Sequence, residues 1–95
     1  MFVIMVTAYV FMNCNSGAEQ RIIQELADLP EVKEVRGIYG IYDIFLKVES
    51  KTNDLLNDII KFRLRMKPNV TSAMALFVNS GQPGKEQEEL FKTGY

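Results

Sequence analysis

The sequence predicts an α+β fold in which one four-stranded antiparallel sheet carries two helices on the same face, in the order β-α-β-β-α-β. The chain has 95 residues, of which 47% are hydrophobic and 24% are charged, a composition typical of one small globular domain. Four segments have the apolar runs or alternation of strands, and two have helical spacing. Turn-forming residues separate these segments, which indicates short connections and a compact unit.

Charge and composition exclude several function classes. The net charge is −1, histidine is absent and there is a single cysteine. Such a chain has no overall positive field to hold nucleic acid or an anionic membrane. It lacks the commonest general base and metal ligand, and it cannot form the internal disulfide that small secreted domains usually need. We therefore expect a cytoplasmic, non-enzymatic binding module with no catalytic residue, metal or cofactor.

The apolar run over residues 2–12 predicts a central strand. A membrane helix needs about 20 apolar residues, and this run stops at Asn13. A signal peptide needs a basic start and a small-residue cleavage site, which the run lacks. Its Val, Ile, Phe and Tyr residues suit a pleated surface.

The first helix is predicted over residues 18–29, with an N-cap supplied by the turn at residues 15–17. Pro30 prevents the helix from continuing. The apolar positions fall on one helical face: Ala18, Ile22, Leu26 and Leu29.

A hairpin of two strands follows. Residues 31–38 are expected to form an edge strand whose charges discourage further pairing. The turn is expected at residues 39–41, and residues 42–49 alternate so that one face carries Ile44, Leu46 and Val48.

The second helix is predicted to begin at a cap within residues 50–53 and to end at Pro68. Its expected apolar positions are Leu55, Leu56, Ile59, Ile60, Phe62 or Arg63, and Met66. Residues 70–79 are the last strand. We expect a ligand-binding domain over residues 1–81 and a polar tail over residues 82–95. Right-handed crossovers then place the first and third strands in the middle of a ferredoxin-like sheet.

The helix-free face of this sheet is predicted to be apolar. The first strand contributes Val3, Met5, Thr7, Tyr9 and Phe11, and the other strands are expected to contribute Phe45, Ala73, Ala75 and Phe77. Soluble monomers seldom expose such a patch, and burying about 700 Å² of it contributes roughly 17 kcal/mol gross. The pattern predicts an obligate dimer formed through the sheet face. The alternative is that the C-terminal tail folds back over it.

Two residues at the hairpin are candidates for ligand binding. Gly40 permits positive φ and lets a ligand approach the backbone closely. Asp43 stands at the beginning of a strand, where aspartate is disfavoured. Two interpretations stay open: the carboxylate caps backbone amides of the hairpin, or it binds the amino group of a ligand.

The hairpin resembles a known family. The run from residue 39 to residue 48, Tyr-Gly-Ile-Tyr-Asp-Ile-Phe-Leu-Lys-Val, is similar to the G-x-Y-D signature of the Lrp/AsnC effector-binding domain, also called the RAM domain. The resemblance covers residues 3–79 and continues through Leu55, Leu56, Ile59, Ile60 and the Pro68-Asn69-Val70 turn.

That resemblance implies dimers paired through their sheets and assembled into octameric or similar rings. It also implies a small effector, usually an amino acid, bound between dimers near the hairpin. The effector-binding positions would be Tyr39, Gly40, Tyr42, Asp43, Thr71 and Ser72. The family often has Thr-x-Thr in the last strand, where this chain has Ala73 and Ala75, and Thr71 and Ser72 come just before.

The family's regulators also carry an N-terminal helix-turn-helix domain, whereas here the first strand begins at Met1. We therefore expect a stand-alone module that binds a metabolite and modulates its own assembly or a full-length Lrp/AsnC regulator, without touching nucleic acid or membrane itself. One alternative is a cofactor-independent, monooxygenase-like dimeric enzyme with a cavity between helices and sheet. The other is a purely structural partner that co-assembles with full-length regulators.

Overall fold

A computed structural model describes residues 5–78 of the chain. The expected start of the first strand, the end of the last strand at residue 79 and the tail over residues 82–95 lie outside the described residues. The elements are β1 (Val6–Cys14), α1 (Glu19–Ala27), β2 (Val32–Gly37), β3 (Ile44–Ser50), α2 (Asn53–Asp58), a π-helical segment (Ile59–Leu64) and β4 (Val70–Val78). The antiparallel strand order is β2-β3-β1-β4, which confirms the predicted ferredoxin-like α+β fold.

The core lies between the sheet and the helices. Val10 of β1 stands opposite Leu46 of β3 and Ala75 of β4, so β1 is central, as predicted. The middle of the helix-covered face of β1 and β3 is fully buried, and the helices cover it with Ile22, Leu26, Leu56, Ile60 and Leu64. Within residues 5–78, no helix is long and apolar enough to cross a membrane.

The start of α1 differs from the expectation. The N-cap is Ala18, which makes no side-chain capping hydrogen bond, so the predicted cap within residues 15–17 is wrong. Those residues instead form a tight turn, in which the Ala18 amide donates to the Asn15 carbonyl at 3.0 Å and Gly17 has φ +88°. The turn therefore redirects the chain from β1 into α1 without capping it.

The second helix begins as predicted and then changes its hydrogen-bonding pattern. Thr52 caps α2, because its hydroxyl accepts from the Leu55 amide at 3.1 Å. Further along, the Arg65 amide donates to the Ile60 carbonyl at 2.9 Å, a bond that spans five residues and makes the turn π-helical.

The wider turn changes which side chains reach the core. Leu64 is fully buried, whereas Phe62 is 59% exposed and Met66 is 70% exposed. The expectation that Phe62 or Arg63, and Met66, would be core positions is wrong, because a π turn takes one residue more than the helical spacing assumed.

The faces of β4 are the reverse of the expected ones. Ala73 and Ala75 stand opposite Met12 and Val10 and pack on the helix-covered core, and Phe77 shares that side. The side chains of β4 on the helix-free face are Ser72, Met74, Leu76 and Val78. Because both faces of β4 are largely apolar, its alternation alone could not settle which one is covered.

The helix-free face nevertheless has the predicted apolar character. We call it the open face; its aromatic rings touch across strands, with Phe45 5.8 Å from Tyr9 and 5.4 Å from Phe11 between ring centroids. Met74 and Leu76 extend this surface onto β4, where they stand opposite Phe11 and Tyr9.

Candidate effector site

The base of the β2–β3 hairpin is tied to the end of β1 by backbone hydrogen bonds. The Ile38 amide donates to the Asp43 carbonyl at 2.9 Å, and the Asp43 amide donates to the Met12 carbonyl at 2.9 Å. These bonds fix Asp43, the residue just before β3, beside the last residues of β1. This places the Asp43 side chain where β1 and β4 lose their regular register, between Asn13 and Cys14.

The Asp43 carboxylate caps that irregular end of β1. Its Oδ2 accepts a hydrogen bond from the Cys14 amide at 3.0 Å. The capping interpretation is correct in kind, but the amide belongs to β1 and not to the hairpin. Among the described residues, nothing donates to the second oxygen, Oδ1. One carboxylate oxygen thus holds the backbone, and the other is available to an incoming donor.

Tyr42 lies at the hairpin end of the open face. Its ring centroid is 5.6 Å from that of Phe11, and its hydroxyl donates to the Met74 sulfur at 3.6 Å. Sulfur is a weak acceptor, so this hydroxyl can exchange its partner for a stronger one at little cost. Tyr42 therefore connects the hairpin with β1 and β4.

The tip of the hairpin exposes two large apolar side chains. Tyr39 is completely exposed and Ile41 is 83% exposed. Between them Gly40 has φ +127°, a conformation that side-chain-bearing residues rarely adopt. Space around Gly40 is open, with no atom within 4 Å of where a Cβ would lie. Glycine is therefore favoured at this position by the positive φ angle and not by close contact with neighbouring atoms.

The predicted hydroxyls on β4 lie at the same end of the sheet. Thr71 and Ser72 are exposed, and the Ser72 hydroxyl accepts from the Asn13 amide group at 3.1 Å. No hydrogen bond joins Thr71 to the other predicted site residues within the described chain. The structure thus brings Asp43 and Ser72 together through neighbouring residues of β1, while Tyr39 and Gly40 stand apart at the tip.

Sequence reasoning missed a group of asparagines as part of this polar end. Asn13 bonds to Ser72, and Asn15 bonds to Asn69 twice: amide group to side-chain oxygen at 3.1 Å and backbone to backbone at 2.8 Å. Asn69 has φ +73°, which asparagine tolerates better than most residues. The available signal was the abrupt end of the apolar run at Asn13.

Cys14 lies beside Asp43 but is not an activated nucleophile. Burial raises the pKa of the half-buried thiol, and the negative charges of Glu19 and Asp43 raise it further. Since the thiolate is the reactive form, this site keeps the sulfur protonated.

Comparison with solved structures supports the fold and its family. FFRP-DM1 matches with a TM-score of 0.76 and 32% identity, over 78% of this chain and 99% of that chain. A protein from Pyrococcus horikoshii described as hypothetical protein PHS023 matches with a TM-score of 0.74 and 32% identity, over 78% of this chain and 89% of that one. The domain therefore accounts for nearly the whole of both solved chains.

A more distant match shares the fold alone. The transcriptional regulator NMB0573 of Neisseria meningitidis, solved as a complex with L-Met, has a TM-score of 0.68 and 17% identity, over 78% of this chain and 49% of that chain. No protein with a curated description matches. The family model described as the Lrp/AsnC ligand binding domain matches residues 7–81. On that match, and on the shared sheet and hairpin, the chain belongs to the Lrp/AsnC ligand-binding domain family.

Proposed function

We propose that this chain is a cytoplasmic effector-binding module that takes up a small metabolite, an amino acid, between dimers near the β2–β3 hairpin. Binding there would modulate the assembly or its contacts with a DNA-binding regulator of the same family. The observation that carries the proposal is the Asp43 carboxylate, which is held against β1 through Oδ2 while Oδ1 accepts nothing from the described residues.

The open face supplies the dimer contact in this proposal. Its apolar side chains come from three strands: Tyr9, Phe11, Phe45, Met74 and Leu76. Charged pairs border it on β2 and β3, Glu34 with Arg36 and Lys47 with Glu49. An apolar centre with a polar rim is the usual anatomy of a stable interface. A second copy of the sheet would cover the centre and leave the rim in water.

Each of the six candidate residues would contact a particular part of a bound amino acid. Asp43 would accept from the ammonium group through Oδ1, and the hydroxyls of Thr71 and Ser72 would donate to the carboxylate. Gly40 would let the ligand approach the hairpin backbone, while Tyr39 and Tyr42 would pack on its side chain. Ala73 and Ala75 have no hydroxyl and face the core, so they would make no polar contact.

The hairpin tip links this site to assembly. Tyr39 and Ile41 expose apolar surface that a neighbouring dimer would cover. A ligand seated between two dimers binds the assembled state more tightly than the separated one, and by linkage it shifts the assembly by that same difference. The L-Met complex of NMB0573 supports an amino acid as the ligand class.

Native mass spectrometry combined with thermal-shift titration against the twenty amino acids tests the proposal. We expect an even subunit count and a raised melting temperature with at least one amino acid. Asp43→Asn should abolish that rise while keeping the subunit count. Asp58→Asn, a matched change on the exposed part of the second helix, should leave it intact. If the assembly is intact and none of the twenty amino acids raises its melting temperature, the effector role is contradicted.

A further inference from the structure

The outer side of the second helix carries a pair of exposed apolar side chains near its end. Phe62 is 59% exposed and Met66 is 70% exposed. Each follows a buried residue, Ile60 or Leu64, by about half a helical turn, so both side chains point away from the sheet. Their spacing of four residues brings Phe62 and Met66 side by side, where they form one apolar surface.

Positive charge borders this apolar pair. Residues 59–68 contain four basic side chains and no acidic one. Two of the four are engaged, because Arg63 Nη1 lies 3.6 Å and Lys67 Nζ lies 2.7 Å from a glutamate carboxylate oxygen. The other two, Lys61 and Arg65, have no carboxylate of the described residues within ion-pair distance. Two cations beside the pair therefore remain available.

The helix dipole accounts for cations at this end of the helix but not for the apolar pair between them. Lys61 Nζ lies 5.6 Å from the centroid of the Phe62 ring, so charge and apolar surface are adjacent. We call the surface formed by Lys61, Phe62, Arg65 and Met66 the helix-end patch. Its chemistry fits a segment in which carboxylates stand next to large apolar side chains.

The chain itself contains such a segment after the last strand. Residues 86–91 have the sequence Glu-Gln-Glu-Glu-Leu-Phe, in which three carboxylates precede two large apolar side chains. Residues 79–85 contain two glycines, one proline and no large apolar residue, which is typical of a linker. The match to the family model ends at residue 81, so residues 86–91 lie outside the family domain.

The segment is long enough to reach the helix-end patch of its own chain. The patch lies near the start of β4, where the Val70 amide donates to the Lys67 carbonyl at 3.1 Å, whereas the chain leaves β4 at Val78. The strand between Val70 and Val78 is about 26 Å long. The chain from Val78 to Leu90 extends to about 40 Å, which leaves length to pass around the edge of the sheet.

Charge favours the helix-end patch over the open face as the docking surface for this segment. The aromatic centre of the open face, Tyr9, Phe11 and Phe45, carries no charge, and the ion pairs at its border are balanced. Three carboxylates brought there would lose water without gaining a cation. At the helix-end patch two cations are available to them.

We propose that residues 86–91 dock on the helix-end patch of the same chain. The carboxylates pair with the two available cations, and the side chains of Leu90 and Phe91 pack on the apolar pair. Exposed ion pairs contribute little, and ordering the linker opposes the contact, so docked and free tails coexist. The docking does not depend on the effector site at the hairpin.

Nuclear magnetic resonance of the full chain with 13C-labelled methionine methyl groups tests the docking. We expect nuclear Overhauser contacts from the Met66 methyl group to the Phe91 ring or the Leu90 methyl groups. Phe91→Ala should move the Met66 resonance towards its undocked position, and so should salt at about 0.5 M, which screens the charges. Tyr95→Ala, a matched loss of an aromatic ring outside the docking segment, should leave the resonance in place.

Charge reversal tests whether the ion pairs are specific. Lys61→Glu combined with Arg65→Glu should lower the ratio of docked to free tails about fivefold. Glu88→Lys combined with Glu89→Lys should lower it to the same extent. All four changes together should restore the ratio to within about twofold of the parent value, because each pair is re-formed with its charges exchanged. Lys51→Glu, before the start of the second helix, should leave the ratio unchanged.

Three outcomes would overturn the proposal. Contacts from Phe91 to Tyr9 or Phe45 in place of Met66 would assign the segment to the open face. When labelled and unlabelled chains are refolded together, contacts found only between different chains would exclude docking within one chain. A Met66 resonance that neither the variants nor salt can move would exclude docking altogether. None of these outcomes bears on amino-acid binding at the hairpin.

Discussion

The Asp43 carboxylate and the Cys14 amide are joined by a hydrogen bond of 3.0 Å that ties the residue before β3 to the last residue of β1. The bond lies at the point where the β1–β4 register shifts, between Asn13 and Cys14. A side chain there replaces a ladder partner that a regular strand would have provided. The same carboxylate is the strongest candidate for contact with an effector, so its structural and binding roles must be separated by substitution.

Two substitutions of Asp43 make that separation. Asp43→Ala leaves the Cys14 amide without its acceptor, and we expect the free energy of unfolding to fall by about 1–3 kcal/mol. Asp43→Asn keeps an oxygen acceptor and should retain most of that stability while losing the charge. Urea unfolding measures both. Equal losses for the two variants would mean that the charge, and not the hydrogen bond, stabilises this end of β1.

The raised pKa of Cys14 gives a second prediction. Glu19→Gln removes the larger of the two carboxylate charges that raise this pKa and does not touch the Cys14 amide, so the thiol should ionise at lower pH. Burial remains, and the pKa should stay above its ordinary value. Ultraviolet absorbance of the thiolate across a pH series gives the midpoint directly. Glu34→Gln, on β2, should leave the midpoint unchanged.

The same shift predicts how stability varies with pH. Because the pKa of Cys14 is higher in the folded chain than in the unfolded chain, the protonated thiol favours folding. That contribution is complete below the pKa of the unfolded chain and is lost as the pH rises through the folded pKa. The alkaline decline in unfolding free energy should be smaller in Cys14→Ser than in the parent chain.

Much of the fold follows from local sequence signals. The apolar residues on both sides of β1 predict a central strand, and the order of elements then predicts the sheet topology. The cap at Thr52 is local too and is present, and the predicted turn at residues 39–41 lies within a longer connection, residues 38–43. These features could be predicted because each depends on side chains close in sequence.

The errors come from positions that tertiary contacts decide. The spacing of Ile59 and Ile60 predicts a regular helix, and nothing local indicates that the next turn widens so that Leu64 is buried. The face of Ala73 depends on its pairing with Met12, which is distant in sequence. At the candidate site, Asp43 was found from its unusual residue type, whereas Asn13 and Asn69 acquire their roles only through β1–β4 pairing.

The π-helical segment predicts an unusual order of sensitivity along the second helix. Leu64→Ala should lower the free energy of unfolding by about 2–5 kcal/mol, because Leu64 is fully buried. Met66→Ala and Phe62→Ala should change it by about 0.5 kcal/mol or less, since both side chains are mostly exposed. Urea denaturation of the three variants decides between the π register and a regular helix. A regular helix would make Phe62 or Met66 the sensitive position.

The open face gives the most direct test of the dimer. Leu76 and Phe77 are neighbours on β4 but point to opposite sides: Leu76 stands opposite Tyr9 on the open face, and Phe77 stands opposite Ala8 on the helix-covered side. Leu76→Asp would bury a charge in a sheet-to-sheet contact, and we expect sedimentation velocity to show a monomer. Phe77→Asp places the same charge one residue away at a position that is 44% exposed. It should remain a dimer.

The pair of variants also excludes the competing explanations. If a segment of the same chain covered the open face, the parent chain would already sediment as a monomer and Leu76→Asp would change its stability but not its mass. If association used the helix side, Phe77→Asp would be the variant that dissociates. Dissociation by Leu76→Asp alone, with far-ultraviolet circular dichroism unchanged, requires that a second chain covers the face shared by Tyr9, Phe45 and Leu76, because only on that face does the new charge lose its water.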